Sequence, residues 1–494
     1  MSEIFKNFLA NFSSRIWSVL LSLFLIPQYI KLIGVEGYGW VGIYSTLSLC
    51  LAPMDFGFGS TMKREMARLT ALKAPHASFA HFAYTIELLF WGTAVLIGVV
   101  FFLLAPLVSQ NWIHSTKMTP EQVERCFRLM GLAISSQWPC AFYSLSLIGL
   151  QKQIPLSIFS ILTGTLGSCG LLALLNYFSP TLEALFIWNS SMHLVQFLVL
   201  HRLLWKHLPT IQEKLKFQFH RLKEMKNFAF GMAGISVTTI ILTNLDKLLL
   251  SKLLALQELG HYFLATTFSK AITLITGPLF ITYFPKLSQT AAVNNQEELH
   301  KSYHQGCQLV SFLAIPTGLI LILFSFDIFS LWLGEGKISK ELSQVAQIYT
   351  LGSLINGWMT MPYALMTSLG WTQLSFYQNL ISILVFVPAL FFMTSHFGIL
   401  GASLSWLFLN LGYFFLSVPI MHSRILTREM GSWYLKDIGA PLLINLIFIT
   451  AFRYLIPCPI QRIMKILFFL LIFTGALGIT FFLSPNLRRE AKYG

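Results

Sequence analysis

The sequence predicts an all-α integral membrane protein with about fourteen transmembrane helices, and three observations carry that reading. The 494 residues are 55% hydrophobic and only 11% charged, with a mean hydropathy of +0.67. A soluble domain carries about 25% charged residues, so a water-exposed surface could not be covered here. Apolar runs long enough to cross a hydrocarbon core, about 20 residues each, recur along the whole chain. No polar stretch between them is long enough to form a soluble domain.

The runs fall near 8–33, 38–60, 79–107, 127–149, 155–177 and 181–205, then near 227–252, 258–284, 302–328, 342–369, 372–394, 396–420, 434–456 and 461–484. Their connections are unequal in charge. One side receives Lys6, Lys63, Arg64, Arg68, Lys73 and Lys152, most of the 206–226 segment, and Arg424, Arg428, Arg488 and Arg489. The other side holds roughly half as many basic residues. The positive-inside bias therefore puts both termini and the 206–226 segment in the cytoplasm. The same bias explains the net charge of +14 without nucleic acid, which would need a clustered basic face on a soluble fold. The six cysteines are scattered with no C-x-x-C pair, and most lie inside apolar runs, where Cys acts as a small hydrophobe.

The chain repeats itself. Lys6-Asn7-Phe8 opens the first run and Lys226-Asn227-Phe228 the seventh, and Val35-Glu36-Gly37-Tyr38-Gly39 aligns with Leu256-Gln257-Glu258-Leu259-Gly260. Both copies begin on the same side of the membrane, so the repeat is parallel, about an axis along the membrane normal. The expected organisation is a six-helix bundle at 1–205, a basic linker at 206–226, a second six-helix bundle at 227–420, and a helix pair with a tail at 421–494.

Polar residues recur at helical spacing inside the runs. The first run carries Asn7, Asn11, Ser14, Arg15, Ser18 and Ser22, and the seventh Ser236, Thr239, Thr243, Asp246 and Lys247. The eighth carries Thr266, Ser269, Lys270 and Thr273, the tenth Asn356, Thr360, Tyr363 and Thr367, and the second Tyr44, Ser48 and Asp55. Such stripes either glue helices together or line a wet path. Arg15, Glu87 and Lys270 sit well inside their runs, where a charge costs about 2.5–3.5 kcal/mol on insertion scales, so a partner, a cavity or a ligand must offset them. The adjacent Asp246 and Lys247 suit an ion pair as well as a ligand. Arg15, Lys270 and Lys247 against few acids make an expected cavity cationic and its cargo anionic. Glu87, Asp246 and Asp55 are the candidates for binding a coupling ion.

Enzyme motifs are missing. Gly334-Glu335-Gly336-Lys337 lacks the first Gly and the Ser/Thr of a phosphate loop, and there is neither a metal-protease helix nor a nucleophile elbow. A transporter with no cofactor or metal is therefore expected, and with no nucleotide-binding domain ATP is not its direct fuel.

Two segments resemble a known family. Ile33-Gly34-Val35-Glu36-Gly37-Tyr38-Gly39 with Met54-Asp55-Phe56-Gly57-Phe58-Gly59-Ser60 is similar to the N-terminal signature of Wzx-like polysaccharide flippases of the multidrug/oligosaccharidyl-lipid/polysaccharide (MOP) superfamily. Leu245-Asp246-Lys247-Leu248 through Ser251-Lys252, then Leu259-Gly260-His261-Tyr262 and Phe284-Pro285-Lys286, resembles their second signature. The resemblance implies passage of a polyprenyl-diphosphate-linked oligosaccharide from the inner to the outer leaflet of a bacterial inner membrane by alternating access. It implies membrane lipids, a glycan polymerase and assembly proteins as partners. Arg15, Lys270 and Lys247 would hold the anionic group, and Asn11, Ser18, Thr243, Thr273 and Asn356 the sugar hydroxyls. A lipid II flippase and a cation-coupled multidrug exporter (MATE) of the same superfamily are the alternatives. The latter relies on membrane-embedded acids, which the first run lacks.

Overall fold

The computed structural model describes the chain except residues 1–2, 52–54, 56–57, 60–61, 63–64, 67–75, 209–214, 221, 224–236, 238–239, 241–242, 294, 335–339, 370, 460, 487 and 489–494, and leaves aside the side chains of 3–12, 76–78, 292, 372–373 and 375–376. Helices account for nearly all of it. No strand occurs among the described residues, where a single bridge pairs His114 with Ala255.

Helix α1 (Glu3–Leu51) is 49 residues long, about 74 Å at 1.5 Å per residue and so more than one hydrocarbon core of about 30 Å. It is broken at Gly34, whose φ of 73° lies in the left-handed region, where a residue without Cβ is at ease. The sequence separates two runs here, and the helix instead turns directly from one into the other. Next come α2 (His76–Asn111), α3 (Pro120–Gly149), α4 (Gln153–Tyr177) and α5 (Leu182–His207). Thr119 and Gln122 cap the start of α3 reciprocally, leaving fewer orphan N–H groups at that end. Residues 243–253 are helical and lead into α6 (Leu256–Ala292).

Then follow α7 (Gln296–Leu323), α8 (Ser325–Leu333), α9 (Lys340–Trp358), α10 (Thr360–Ser368) and α11 (Thr372–Gly412). Helix α11 also turns at a glycine, Gly398, with φ 56°. It continues through a π-helical turn, Tyr413–Ser417, into α12 (Val418–Ile425). The last pair is α13 (Ala440–Leu455), entered through a second π-helical turn at Trp433–Gly439, and α14 (Arg462–Leu483). Eight described helical stretches are long and apolar enough to cross a membrane. Two of them contain the Gly34 and Gly398 breaks, so each has room for two crossings.

The periodicity reappears in the helix starts. His76 opens α2 and Gln296 opens α7; Pro120 opens α3 and Lys340 opens α9, each pair 220 positions apart. Contacts divide the chain into two compact units, Met1–Gly260 and His261–Gly494. In the first, α2 packs on α3, α3 on α5, and α1 on α4; in the second, α7 packs on α9 and α9 on α11. Leu96, Val99, Phe102, Leu103 and Leu107 of α2 are exposed, a face suited to lipid.

Helix α7 is the hub of the second unit: its apolar window is 61% buried, against 17–39% for the other candidate spans. Helices α13 and α14 both pack on it. A buried polar node fastens the segment that enters α13 to α7. His304 Nδ1 meets Asp437 Oδ2, and its Nε2 lies 3.1 Å from Glu429 Oε2. Gln308 donates to Asp437 Oδ1 at 2.9 Å. Each ring nitrogen of His304 is thus matched to a carboxyl group. Removing one partner strands buried charge, which costs about 3–5 kcal/mol. His304→Ala is therefore expected to lower the melting temperature in detergent markedly. An unchanged melting curve would show that the node holds nothing.

Candidate transport site

A polar residue in a membrane helix either bonds a neighbouring helix or stays exposed. The stripes divide on this test. On α1, Arg15, Ser18 and Ser22 are exposed. Among the described residues the two serine hydroxyls bond only their own helix backbone, Ser18 to Ser14 O and Ser22 to Val19 O, both at 2.9 Å. Arg15 has neither hydrogen bond nor ion pair among the described residues. Ile16, Leu20, Leu23 and Phe24 are exposed too, and at 100° per residue they fall on the opposite side of the helix. Helix α1 thus shows one polar and one apolar open face within its unit. Asn11 belongs to the polar face by register, and its side chain lies outside the described residues, as do Ser236 and Thr239.

On α6, Lys270 and Thr273 are exposed. Thr266 and Ser269 of the same stripe are buried, and Ser269 shares a 2.8 Å bond with Thr350 of α9, so that part is helix glue. Asn356 is glue as well: its amide donates to Asn410 Oδ1 at 2.8 Å, joining α9 to α11. Lys247 donates to Thr243 O at 2.8 Å and sits 3.3 Å from Asp246 Oδ1, so its charge is matched within its own segment. The Thr243 side chain is exposed and receives the amide of Asn244 at 2.9 Å. Asp55 accepts the backbone N–H of Gly59 at 3.1 Å, a local turn bond.

Glu87 is 9% exposed and joins three helices. Tyr143 of α3 donates to Oε1 at 2.5 Å, and His201 Nδ1 of α5 lies 3.1 Å from the same oxygen. Tyr143 and His201 were not singled out in the sequence, where they stand 56 and 114 positions from Glu87. His193 bonds Tyr44 at 3.0 Å and Gln196 at 3.1 Å, and Tyr44 reaches Gln137 at 3.1 Å, a satisfied helix contact.

The two aligned connections meet each other within the first unit. Leu256 N donates to His114 O at 3.1 Å, and the indole N–H of Trp112 donates to Ser251 at 3.0 Å. Glu36 accepts from the hydroxyls of Ser115 and Thr116. A Cβ on Gly39 would stand 2.5 Å from Leu256 O, and one on Gly260 would stand 2.3 Å from Val35 O. Val35 aligns with Leu256 and Gly39 with Gly260, so each glycine approaches the carbonyl that is the counterpart of the one approached by the other.

Comparison with known proteins agrees with this architecture. The family model described as "Polysaccharide biosynthesis protein" matches residues 31–336. A Shigella flexneri protein named "Putative O-antigen transporter" is 18% identical over 298 residues, 60% of this chain and 69% of that protein. A Klebsiella pneumoniae protein named "Uncharacterized membrane protein in cps region" is 26% identical over 286 residues, 54% of this chain and 55% of that one. Among solved structures, the inward closed conformation of the lipid II flippase MurJ superposes with a TM-score of 0.74 at 16% identity, covering 97% of this chain and 99% of its own. An inward-facing multidrug resistance MATE family transporter of the MOP superfamily gives 0.63 at 13% identity, covering 83% and 96%. A family model running through more than half of the sequence, with a shared fold along nearly all of it, makes this chain a member of the polysaccharide biosynthesis protein family, a multi-pass membrane protein with the fold of MOP-superfamily transporters.

Proposed function

We propose that the protein is a flippase that carries a polyprenyl-diphosphate-linked oligosaccharide, an O-antigen or capsule repeat unit, from the inner to the outer leaflet of a bacterial inner membrane. The observation that carries this is the open polar face of α1. An exposed Arg15 with Ser18 and Ser22 in a span cannot rest against hydrocarbon at acceptable cost, and the opposite apolar face already suits lipid. The polar face therefore belongs against water, and it is cationic. Arg presents a planar fork that matches phosphate oxygens two at a time, whereas Lys270 acts as a point charge. Thr273 and Ser18 suit sugar hydroxyls, while the lipid tail stays in the bilayer.

The two six-helix repeats, 1–205 and 227–420, would rock against each other to expose the cargo alternately to each side, with both termini in the cytoplasm. Asn356 and Lys247, already engaged with Asn410 and Asp246, contribute less than Arg15. Of the three candidate acids we take Glu87 for the coupling site, because it is buried and contacts a side chain on each of two other helices.

Proteoliposomes loaded separately with a fluorescent polyprenyl-diphosphate oligosaccharide, lipid II or an organic cation test the class of cargo. The oligosaccharide lipid is expected to move and the cation to stay. Movement of lipid II alone would instead establish the lipid II flippase reading, and movement of the cation alone the exporter. An imposed pH gradient should speed the wild type and leave Glu87→Gln unaffected. Equal acceleration of both would remove Glu87 from coupling.

A further inference from the structure

The basic 206–226 segment plays no part in the passage just described. Its described residues 215–218 have no regular secondary structure and are fastened to α2. The backbone N–H of Lys216 donates to His81 Nδ1 at 3.1 Å, and that of Gln218 donates to Thr85 Oγ1 at 3.0 Å. His81 and Thr85 are one turn apart, so a single face of α2 receives both bonds. Phe217 and Phe219 stand two positions apart, where the chain passes from an irregular stretch into a helical turn at 219. Their rings are 46% and 70% exposed, while Leu222 just beyond is buried.

The depth of this strap follows from its anchors. Helix α2 starts and α5 ends at the same end of the bundle, since four crossings, α2 to α5, lie between them. Helix α2 opens at His76, so His81 and Thr85 lie five and nine residues in, about 8 and 14 Å along the axis. Amphipathic segments seat their apolar faces about 5–10 Å into the headgroup and acyl boundary. Around the strap the chain carries Lys206, Lys214, Lys216, Arg221, Lys223 and Lys226 against only Glu213 and Glu224. Lysines are depleted at the cores of protein interfaces, whereas basic residues beside exposed rings complement an anionic membrane surface.

We infer that the strap formed by residues 215–220, 222 and 223 is an interfacial binding site for anionic phospholipid. Phe217 and Phe219 insert among the acyl chains, Lys216 and Lys223 meet headgroup phosphates, and His81 and Thr85 hold the strap at that depth. The site does not depend on the flippase reading.

Native mass spectrometry of the full-length protein, in micelles doped with phosphatidylglycerol or phosphatidylcholine, tests it. The wild type is expected to retain phosphatidylglycerol preferentially. K216Q/K223Q should weaken that retention about 25-fold, roughly fivefold per lysine. F217S/F219S should weaken retention of both lipids. All four positions are exposed, so the melting temperature should not move. H81A should reduce phosphatidylglycerol as strongly as the lysine pair, and H81N should restore it, because its Oδ1 replaces the acceptor at Nδ1. If the wild type shows no preference, or the lysine and phenylalanine pairs both keep wild-type occupancy, the site does not exist and the strap faces water or a protein. No transport step enters this measurement, so its failure and a failure of the flippase assignment are separately visible.

Discussion

Arg15→Ala is expected to cut translocation of the oligosaccharide lipid roughly 10–100-fold while leaving abundance and melting temperature unchanged. The magnitude follows from one lost hydrogen-bonded charge contact, worth about 1.5–3 kcal/mol, with 1.4 kcal/mol per factor of ten. Stability should hold because Arg15 is exposed and bonds no partner among the described residues, so nothing folded depends on it. Arg15→Lys should fall between wild type and alanine, since it keeps the charge and loses the fork. Lys270→Ala should weaken transport in the same direction. Lys247→Ala serves as the contrast: its ammonium already rests on Asp246 and the Thr243 carbonyl, so its loss should register first in stability. Initial rates in proteoliposomes, beside thermal melts of the same preparations, decide the matter. Full transport by Arg15→Ala and Lys270→Ala would end the assignment of cargo binding to these two side chains.

The fold was legible because its signal is local. Apolar runs of about 20 residues state where helices lie, and two short alignments carry the repeat. What the sequence could not state is what faces each stripe. Ser269 and Lys270 are neighbours in one polar pattern, yet one bonds Thr350 and the other is exposed. Periodicity fixes a face of a helix and is silent on its neighbour. Long-range partners were missed for the same reason. His304 meets Glu429 and Asp437 from 125 and 133 positions away, with no spacing to betray them. The Gly34 and Gly398 turns were hidden differently: hydropathy marks the end of a span but does not tell a loop from a single left-handed residue.

Gly39→Ala and Gly260→Ala are each expected to spring the contact between the two aligned connections, and the double variant should be little worse than the poorer single one. A methyl at either position would lie 2.3–2.5 Å from a backbone carbonyl oxygen, and backbone on both sides cannot swing away as a flexible side chain would. The helices must separate, at about 1–3 kcal/mol for an overpacked site. The two approaches are reciprocal, Gly39 to Leu256 and Gly260 to Val35, so separation forced by one methyl also makes room for the other. Their costs should therefore fail to add, the mark of residues sharing one contact. A reporter lies beside them: His114 and Ala255 are bridged through their backbones, so a cysteine pair placed there in a cysteine-free background should cross-link readily with glycines present and poorly with either alanine. If the contact forms in only part of the transport cycle, a bias of this size shifts the balance of states about 5–150-fold, and transport should fall with the cross-link. Additive losses in stability, or cross-linking indifferent to the alanines, would mean that the glycines relieve two separate crowdings and that the repeat has no shared pivot at this point.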